Sequence, residues 1–404
     1  MSLSSKSRFL DRATPPHIFT LILLAGVSAL SMNIFLPSLP SMTIYFQTNY
    51  SMMQLSVAGY LGANAILQIL IGPISDKLGR RPVILGGLAV FLIATLGCIY
   101  ASNVIVFLTF RMVQTAVVAT MVLSRAVVRD MVPTNEAASM IGYVTMGMTV
   151  VPMLGPALGG ILDQAFGWQS SFWILFLVGL LILIITWADL GETKKNSGLS
   201  LSQQFREYPE LLASPRFWGY SLSSACSSGA FFAYLGGAPF VATDIFGLTP
   251  SEMGLFFGAP AVGYFFGNYF SGRFSVRFGI NRMILWGCTT CVFGTGMSVM
   301  IFFLGLGSAE SFFGLMTFVG FGNGLAIPNA TSGALSVRPH LAGTASGLSG
   351  AIMLGGGAGL SALAGALIGT DSGAFPLLWL MFVTTSLGIF AISAVIYRER
   401  RLNV

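Results

Sequence analysis

Long apolar stretches, bounded by charges, prolines and polar clusters, constrain this chain more than any other feature. A bilayer core takes about 20 consecutive, mostly apolar residues per helical crossing. Twelve such stretches occur, at 17–37, 52–72, 82–101, 103–125, 137–163, 169–189, 216–239, 251–272, 282–304, 308–330, 341–368 and 375–397. Lipid offers no hydrogen bonds to a bare backbone, so each stretch is predicted to be a helix. With 54% apolar and only 8% charged residues, an ordinary soluble domain is excluded. The expected fold class is an all-α membrane protein with twelve transmembrane helices. The first apolar run is too long for a secretory signal, lacks a small-residue cleavage site and is followed by eleven more, so it is expected to be retained.

A net charge of +6 raises the question of nucleic acid, but the cations are not clustered as a binding face. Of the 20 Lys and Arg residues, all but Arg111 fall in tails, loops or span ends on one side of the predicted topology. Cytoplasmic loops carry the excess of Lys and Arg in membrane proteins, so both termini are expected in the cytoplasm. The bilayer is the expected partner, and no nucleic acid is. Cys98, Cys226, Cys288 and Cys291 all lie within predicted spans. Cys288 and Cys291 form a C-x-x-C without further Cys or His nearby, and read as small core residues; no metal or cofactor is expected.

The chain aligns with itself at a shift of 200 residues. Gly72, Ser75, Lys77 and Gly79 lie over Gly272, Ser275, Arg277 and Gly279; Gln68 lies over Asn268. At a shift of 205, Gly142 meets Gly347 and Gly160 meets Gly365. Residues 1–190 and 216–404 therefore read as two six-helix pseudo-repeats, joined by a polar cytoplasmic linker at 191–215. Parallel repeats of this kind place a shared substrate path near the midplane between them. The glycines crowding the fifth and eleventh spans are expected where the halves meet, because small residues let helices approach closely in lipid.

After the second span the chain reads Gly72-Pro73-Ile74-Ser75-Asp76-Lys77-Leu78-Gly79-Arg80-Arg81. Here Gly72 and Pro73 are expected to end the helix and Gly79 to make a tight turn. Asp76 with Arg80 and Arg81 is expected to form a charge cluster that acts as a conformational latch. The second copy has Val276 in place of the acid, so its latch is expected to be weaker or differently made. Further on come Arg111-Met112-Val113-Gln114, then Pro152-Met153-Leu154-Gly155-Pro156-Ala157-Leu158-Gly159-Gly160.

Together these elements resemble the major facilitator superfamily, and within it the bicyclomycin-resistance (Bcr/CflA) branch of the twelve-helix drug:proton antiporters. Leu36-Pro37-Ser38-Leu39-Pro40, Phe166-Gly167-Trp168 and Glu192-Thr193 add to the likeness. The resemblance implies a monomeric secondary-active multidrug exporter of the bacterial inner membrane, not an enzyme, with the proton as coupling ion. It assigns Pro152, Gly155, Pro156, Gly159 and Gly160 to the antiporter motif, and Arg111 with Gln114 to coupling or substrate response.

One departure is acidic. That branch carries an aspartate where this chain has Asn33, and none of the 14 Asp and Glu residues sits mid-span. An amide cannot titrate, so Asp163, Glu136 and Asp130 at span ends are the substitutes to consider. A site without a mid-membrane acid is expected to favour neutral or amphiphilic antibiotics over cations. Asn33, Asn64, Gln68, Gln114, Asn268, Asn323 and Asn329 are candidate hydrogen-bonding groups of the cavity; Phe35, Tyr60, Phe231, Tyr234 and Tyr264 are candidate walls. Asn33 also keeps open a second reading, a metabolite importer or facilitator on the same fold. No G-x-x-x-x-G-K-[ST] motif is present, so ATP is not the expected energy source.

Overall fold

The structure, a computed structural model, describes residues 7–131, 140, 144, 151, 154–193, 208–338, 341–369 and 373–402. In the first half the helices are α1 (Ile18–Asn33), α2 (Leu39–Tyr45), α3 (Tyr50–Leu78), α4 (Arg80–Ile99), α5 (Val104–Val113), α6 (Val118–Met131), α7 (154–166) and α8 (Gln169–Asp189). In the second half they are α9 (Pro215–Phe240), α10 (Pro250–Phe256), α11 (Gly258–Phe278), α12 (Ile280–Phe303), α13 (Ala309–Ser336), α14 (Ala342–Leu367) and α15 (Phe375–Leu402).

Ten helical stretches among the described residues are long and apolar enough to cross a membrane. Most of the predicted fifth span, including Pro152, and Glu136 just before it lie outside the described residues, which take up the helix at 154–166. The predicted eighth span corresponds to α11, whose 21 residues are diluted in hydropathy by glycines, Asn268 and Arg273. Most of the linker, 194–207, also lies outside the described residues.

Helix ends carry the duplication more plainly than the apolar faces do. Asn49 caps α3 by accepting from Met52 N, and 200 residues later Thr249 caps α10 in a capping box with Glu252. Thr249 donates amide and hydroxyl to the Glu252 carboxyl, each at 2.9 Å. Gly79 and Gly279 stop α3 and α11 at φ +101° and +82°, a region closed to most side chains. Gly72 and Pro73, by contrast, do not end the helix. α3 runs on through Pro73 to Leu78, losing only the one backbone bond to Ile69 that proline cannot make.

Each half packs mainly on itself, with α11 and α12 against α13, and α9 against α14 and α15. The broadest seam between the halves is α3 against α14. There Gln54 Nε2 donates to Ser361 O at 2.5 Å and to its Oγ at 2.6 Å, and Tyr50 Oη donates to Gly236 O at 2.7 Å. Gly365 and Gly350 make room: a Cβ on either would come within 2.7 Å of the Gln54 or Gln68 amide oxygen. Gly347, Gly355 and Gly359 of the same helix face open space, so part of the eleventh span's glycine cluster serves the seam and part does not.

Candidate functional site

Where α1 meets the seam, about half-way along the Ile18–Tyr45 span, lies a small cavity of about 10 Å³, room for a single water. The first half lines it with Asn33 and Pro156; the second lines it with Phe231, Leu235, Phe257, Pro260 and Ala261. Among the described residues, no ionisable side chain is on this lining. Asn33 is 4% exposed, and its Nδ2 donates to Ala29 O at 2.7 Å, one turn back along α1. That bond uses the amide's donor side and turns the acceptor Oδ1 away from the helix backbone.

The G-P-x-x-G-G element forms the outer wall, on the end of the molecule opposite the termini. A Cβ on Gly159 would run into Ile34 O of α1, and one on Gly160 would run into Pro250 O of the second half. Gly254 answers from the other side, where a Cβ would meet Pro156 O. Two backbones therefore touch directly here, which only glycine allows. Ser251 Oγ reaches Gly160 O at 3.4 Å and bonds to Gln164 Oε1. Beside it Asp163, 8% exposed, accepts the Ser41 hydroxyl on both carboxylate oxygens at 3.1 Å.

Arg111 does not reach out to solvent. It is fully buried, with its guanidinium carbon 4.2 Å from the Phe35 ring centre and 4.1 Å from that of Tyr60. Its Nη2 donates to Ser31 O at 2.9 Å, its Nη1 to Gln114 Oε1, and Gln114 Nε2 donates on to Thr95 Oγ1 at 2.8 Å. No carboxylate is among these contacts. A cation at membrane depth costs about 2.5–3.5 kcal/mol on insertion scales. Desolvated cation–π contacts return about 2 kcal/mol each, so the two rings offset the cost without a counter-charge.

At the end carrying the termini, Asp76 pairs with Arg80 at 2.6 Å and Asp130 pairs with the same guanidinium at 3.0 Å. Glu192 accepts the backbone amides of Arg80 (2.9 Å) and Arg81 (3.2 Å), while Arg81 Nε donates to Leu190 O at 2.7 Å. These contacts tie α3, α4, α6 and the end of α8, all within the first half. Gly79 is required twice, by its φ of +101° and because a Cβ would collide with the Glu192 carboxylate. Gly79→Ala is expected to cost about 1–3 kcal/mol of stability, seen as a lower unfolding temperature of the solubilised protein.

The second half solves the same problem with other residues. Val276, at the place of Asp76, is 99% exposed. Glu399 at the end of α15 instead pairs with Arg216 at 2.8 Å and accepts from Tyr220 Oη at 3.1 Å and from Asn281 Nδ2 at 2.5 Å. Asn281 stands 200 residues after Arg81, and Glu399 lies near the end of the last helix of its half, as Glu192 lies just past the end of the first half's last helix. The duplication could have exposed this acid, since it was the only guide to which charges correspond.

The remaining expected cavity groups are spread out. Asn323 accepts from Ser227 Oγ at 2.8 Å, and Asn268 Nδ2 donates to its own helix at Tyr264 O, also 2.8 Å. Asn329 donates to Ser271 at 2.8 Å. These three bind within the second half rather than line the cavity. Among the described residues, Asn64 Oδ1 and Tyr234 Oη are buried without a hydrogen-bond partner, the latter in a box of Phe231, Phe257, Phe312 and Phe313. Leu235, Phe257, Pro260 and Ala261 were not legible as lining, because nothing in an apolar residue's identity separates a cavity wall from packing. Cys288 and Cys291 are buried, and Cys291 Sγ lies 3.5 Å from Val319 O.

Comparison with known proteins bears on the whole arrangement. Residues 21–362 match the family model described as Major Facilitator Superfamily. The chain belongs to the Major Facilitator Superfamily. Among superfamily relatives it is 31% identical over 322 residues to the "Chloramphenicol resistance protein" of Pseudomonas aeruginosa, covering 79% of this chain and 76% of that protein. It is 26% identical over 357 residues to the "Bicyclomycin resistance protein homolog" of Haemophilus influenzae, covering 87% and 89%. These relatives agree with the Bcr/CflA resemblance read from the motifs. A solved structure, a bacterial homologue of the human lysosomal transporter Spinster in an inward-facing, unoccupied conformation, superposes with a TM-score of 0.72 at 18% identity, over 93% of this chain and 95% of that one. At that identity the likeness establishes the fold alone, a multi-pass bundle of helices.

Proposed function

We propose that this protein exports antibiotics or other amphiphilic drugs across the bacterial inner membrane by alternating access. The observation that carries the reading is the cavity on the seam, lined by both halves and bolted at one end by hydrogen bonds that cross between them. In this reading the chain has twelve spans, both termini lie in the cytoplasm, and residues 1–190 rock against 216–404 about the α3–α14 seam. The bolted end is then the outer one, and the structure corresponds to a state closed to the outside. A handful of such bonds at about 0.5–1.5 kcal/mol each holds a few kcal/mol. That is the scale on which two states of one protein interconvert.

The proton is the coupling ion in this reading. With Asp130 engaged by Arg80, Asp163 is the carboxylate best placed to exchange it, being nearly buried, held by a serine hydroxyl and one turn from the Gly160–Pro250 contact. Arg111, Gln114 and Asn33 are assigned to coupling and substrate response, and Asp76, Gly79, Arg80 and Arg81 to the latch. The transporter carries no reaction chemistry of its own in this account and works as a monomer.

Growth inhibition of a pump-deficient bacterium tests the proposal, with this protein expressed against phenicols, bicyclomycin, fluoroquinolones, tetracyclines and lipophilic cations. Raised resistance is expected, and Asp76→Asn, which removes a charge-assisted bond worth about 1.5–3 kcal/mol, is expected to lose most of it at equal membrane abundance. Unchanged resistance with the protein present in the membrane would favour a metabolite carrier instead.

A further inference from the structure

We infer that the segment before α1 is a binding surface for an anionic phospholipid of the leaflet on the side of the termini. Arg8 and Arg12 take the headgroup phosphate, and Phe9, Leu10 and Trp187 take the boundary of the acyl chains. Such a surface requires only that the chain span a bilayer, and stands whatever the transporter carries.

Residues 8–17 are fastened to the end of α8 rather than left as a tail. Asp189, fully buried, accepts Leu10 N at 2.7 Å on one carboxylate oxygen and His17 N at 2.9 Å on the other. Gly191 completes the seat, since a Cβ there would run into Arg12 O. Between the two tethers the chain turns on itself, with Thr14 N donating to Asp11 O at 3.0 Å and Arg8 N to Thr14 Oγ1 at 3.1 Å. Leu10 takes φ +64°, a region that residues other than glycine, asparagine and aspartate seldom enter. Such a backbone persists only where the surrounding structure holds it. Here it holds two apolar side chains outward, Leu10 at 51% exposure and Phe9 at 45%.

The exposed groups have the make-up of a membrane–water boundary. Phe9 stands edge-on to Phe19 of α1, 6.1 Å between ring centres, and Trp187 in the last turn of α8 is exposed. The Arg12 guanidinium carbon lies 5.5 Å from the centre of the Trp187 ring. Aromatic side chains concentrate at headgroup depth, and arginines beside them meet the negative charge of anionic lipids. The acids of the region are already engaged: Asp189 by its two amides, Asp11 by Ala13 N at 3.1 Å, and Glu192 by the amides of Arg80 and Arg81. Arg81 itself is spent on the Leu190 and Trp187 carbonyls. Among the described residues, neither Arg8 nor Arg12 forms an ion pair. Exposed cations set among apolar groups fit a phosphate that carries chains better than a free anion, which gives Phe9, Leu10 and Trp187 nothing to cover them.

Native mass spectrometry of the purified full-length protein tests this, with phosphatidylglycerol and phosphatidylcholine of identical chains in the micelle. Wild type is expected to retain phosphatidylglycerol preferentially. Arg8→Gln and Arg12→Gln should each lower the affinity for phosphatidylglycerol about fivefold, the worth of one cation at an anionic membrane surface, and together they should remove the preference. Asp189→Asn keeps both arginines but offers one acceptor oxygen to two amides. It should loosen the segment and weaken the preference as well, whereas a diffuse attraction to charge would not change. Phosphatidylglycerol with brominated chains should quench tryptophan fluorescence more than brominated phosphatidylcholine does, and the difference should vanish in Trp187→Phe. Equal retention of the two lipids by wild type would overturn the inference. So would a preference that survives the double arginine variant or is unmoved in Asp189→Asn, or displacement of the lipid by millimolar inorganic phosphate.

Discussion

Gly160→Val is expected to abolish export while leaving a folded protein in the membrane. The atoms that a Cβ at this position would meet are backbone atoms of Pro250 and Ser251, all in the second half. Neither can swing aside as a flexible side chain would. The three atoms nearest that Cβ all belong to the second half, so the energy of the overlap falls first on the contact between halves. Overpacking of a tight contact costs about 1–3 kcal/mol or more, and each 1.4 kcal/mol is tenfold in an equilibrium. The state closed at the end opposite the termini should become rarer by about tenfold to 100-fold, and export, which must pass through it, should fall accordingly. A membrane-impermeant thiol reagent applied from that end should label Leu235→Cys faster in the Gly160→Val background, since Leu235 is 1% exposed here. Gly159→Val is the contrasting case. Its Cβ meets Ile34 within the same half, so it should lower abundance and thermal stability rather than trap a folded conformer. Normal export by Gly160→Val would show that the two halves do not meet at this glycine during transport.

The two glycines illustrate what was and was not legible in the chain. That Gly155, Gly159 and Gly160 belong to a close helix contact follows from residue type alone, since small residues replace the hydrophobic effect as the means of helix association in lipid. Which neighbour each meets does not follow, because adjacent positions on a helix face directions about 100° apart and the partner is chosen by tertiary structure. The same limit applies to polar residues. By residue type Asn33 and Asn323 were both mid-span amides, and only the family resemblance set Asn33 apart; one lines the seam and the other accepts a bond from Ser227 inside its own half.

Loops were read better than cavities. Gly79, Arg80 and Arg81 announce a turn and a charge cluster, and both are present, because turn geometry and ion pairing are local. Pro73 was misread for the converse reason. A proline in a long membrane helix forfeits one hydrogen bond, and in lipid the neighbouring helices and the remaining ladder keep the helix going. Glu192 and Glu399 were the hardest to foresee, since each acts on a loop more than a hundred residues away in sequence.

Arg111 carries the second large effect, and the informative substitution is the one that keeps its volume. Truncation to alanine would empty the space between the Phe35 and Tyr60 rings and leave Gln114 Oε1 without its donor. Removing a large buried side chain costs on the order of 3–5 kcal/mol, so loss of export by Arg111→Ala would by itself say little about charge. Arg111→Met fills most of the gap without a charge to desolvate, and replacing a buried ion by a well-packed apolar side chain is often neutral or stabilising. Arg111→Lys keeps the charge but gives up the planar stack and the fork that reaches Ser31 and Gln114 together. If the guanidinium serves transport, Arg111→Met should melt within about 1 kcal/mol of wild type and export nothing. Arg111→Lys should retain at most a small part of the activity. Export at the wild-type rate by Arg111→Met would make this arginine a brace for three helices and nothing more, and would move coupling to the outer end of the seam, where Asp163 is the buried acid.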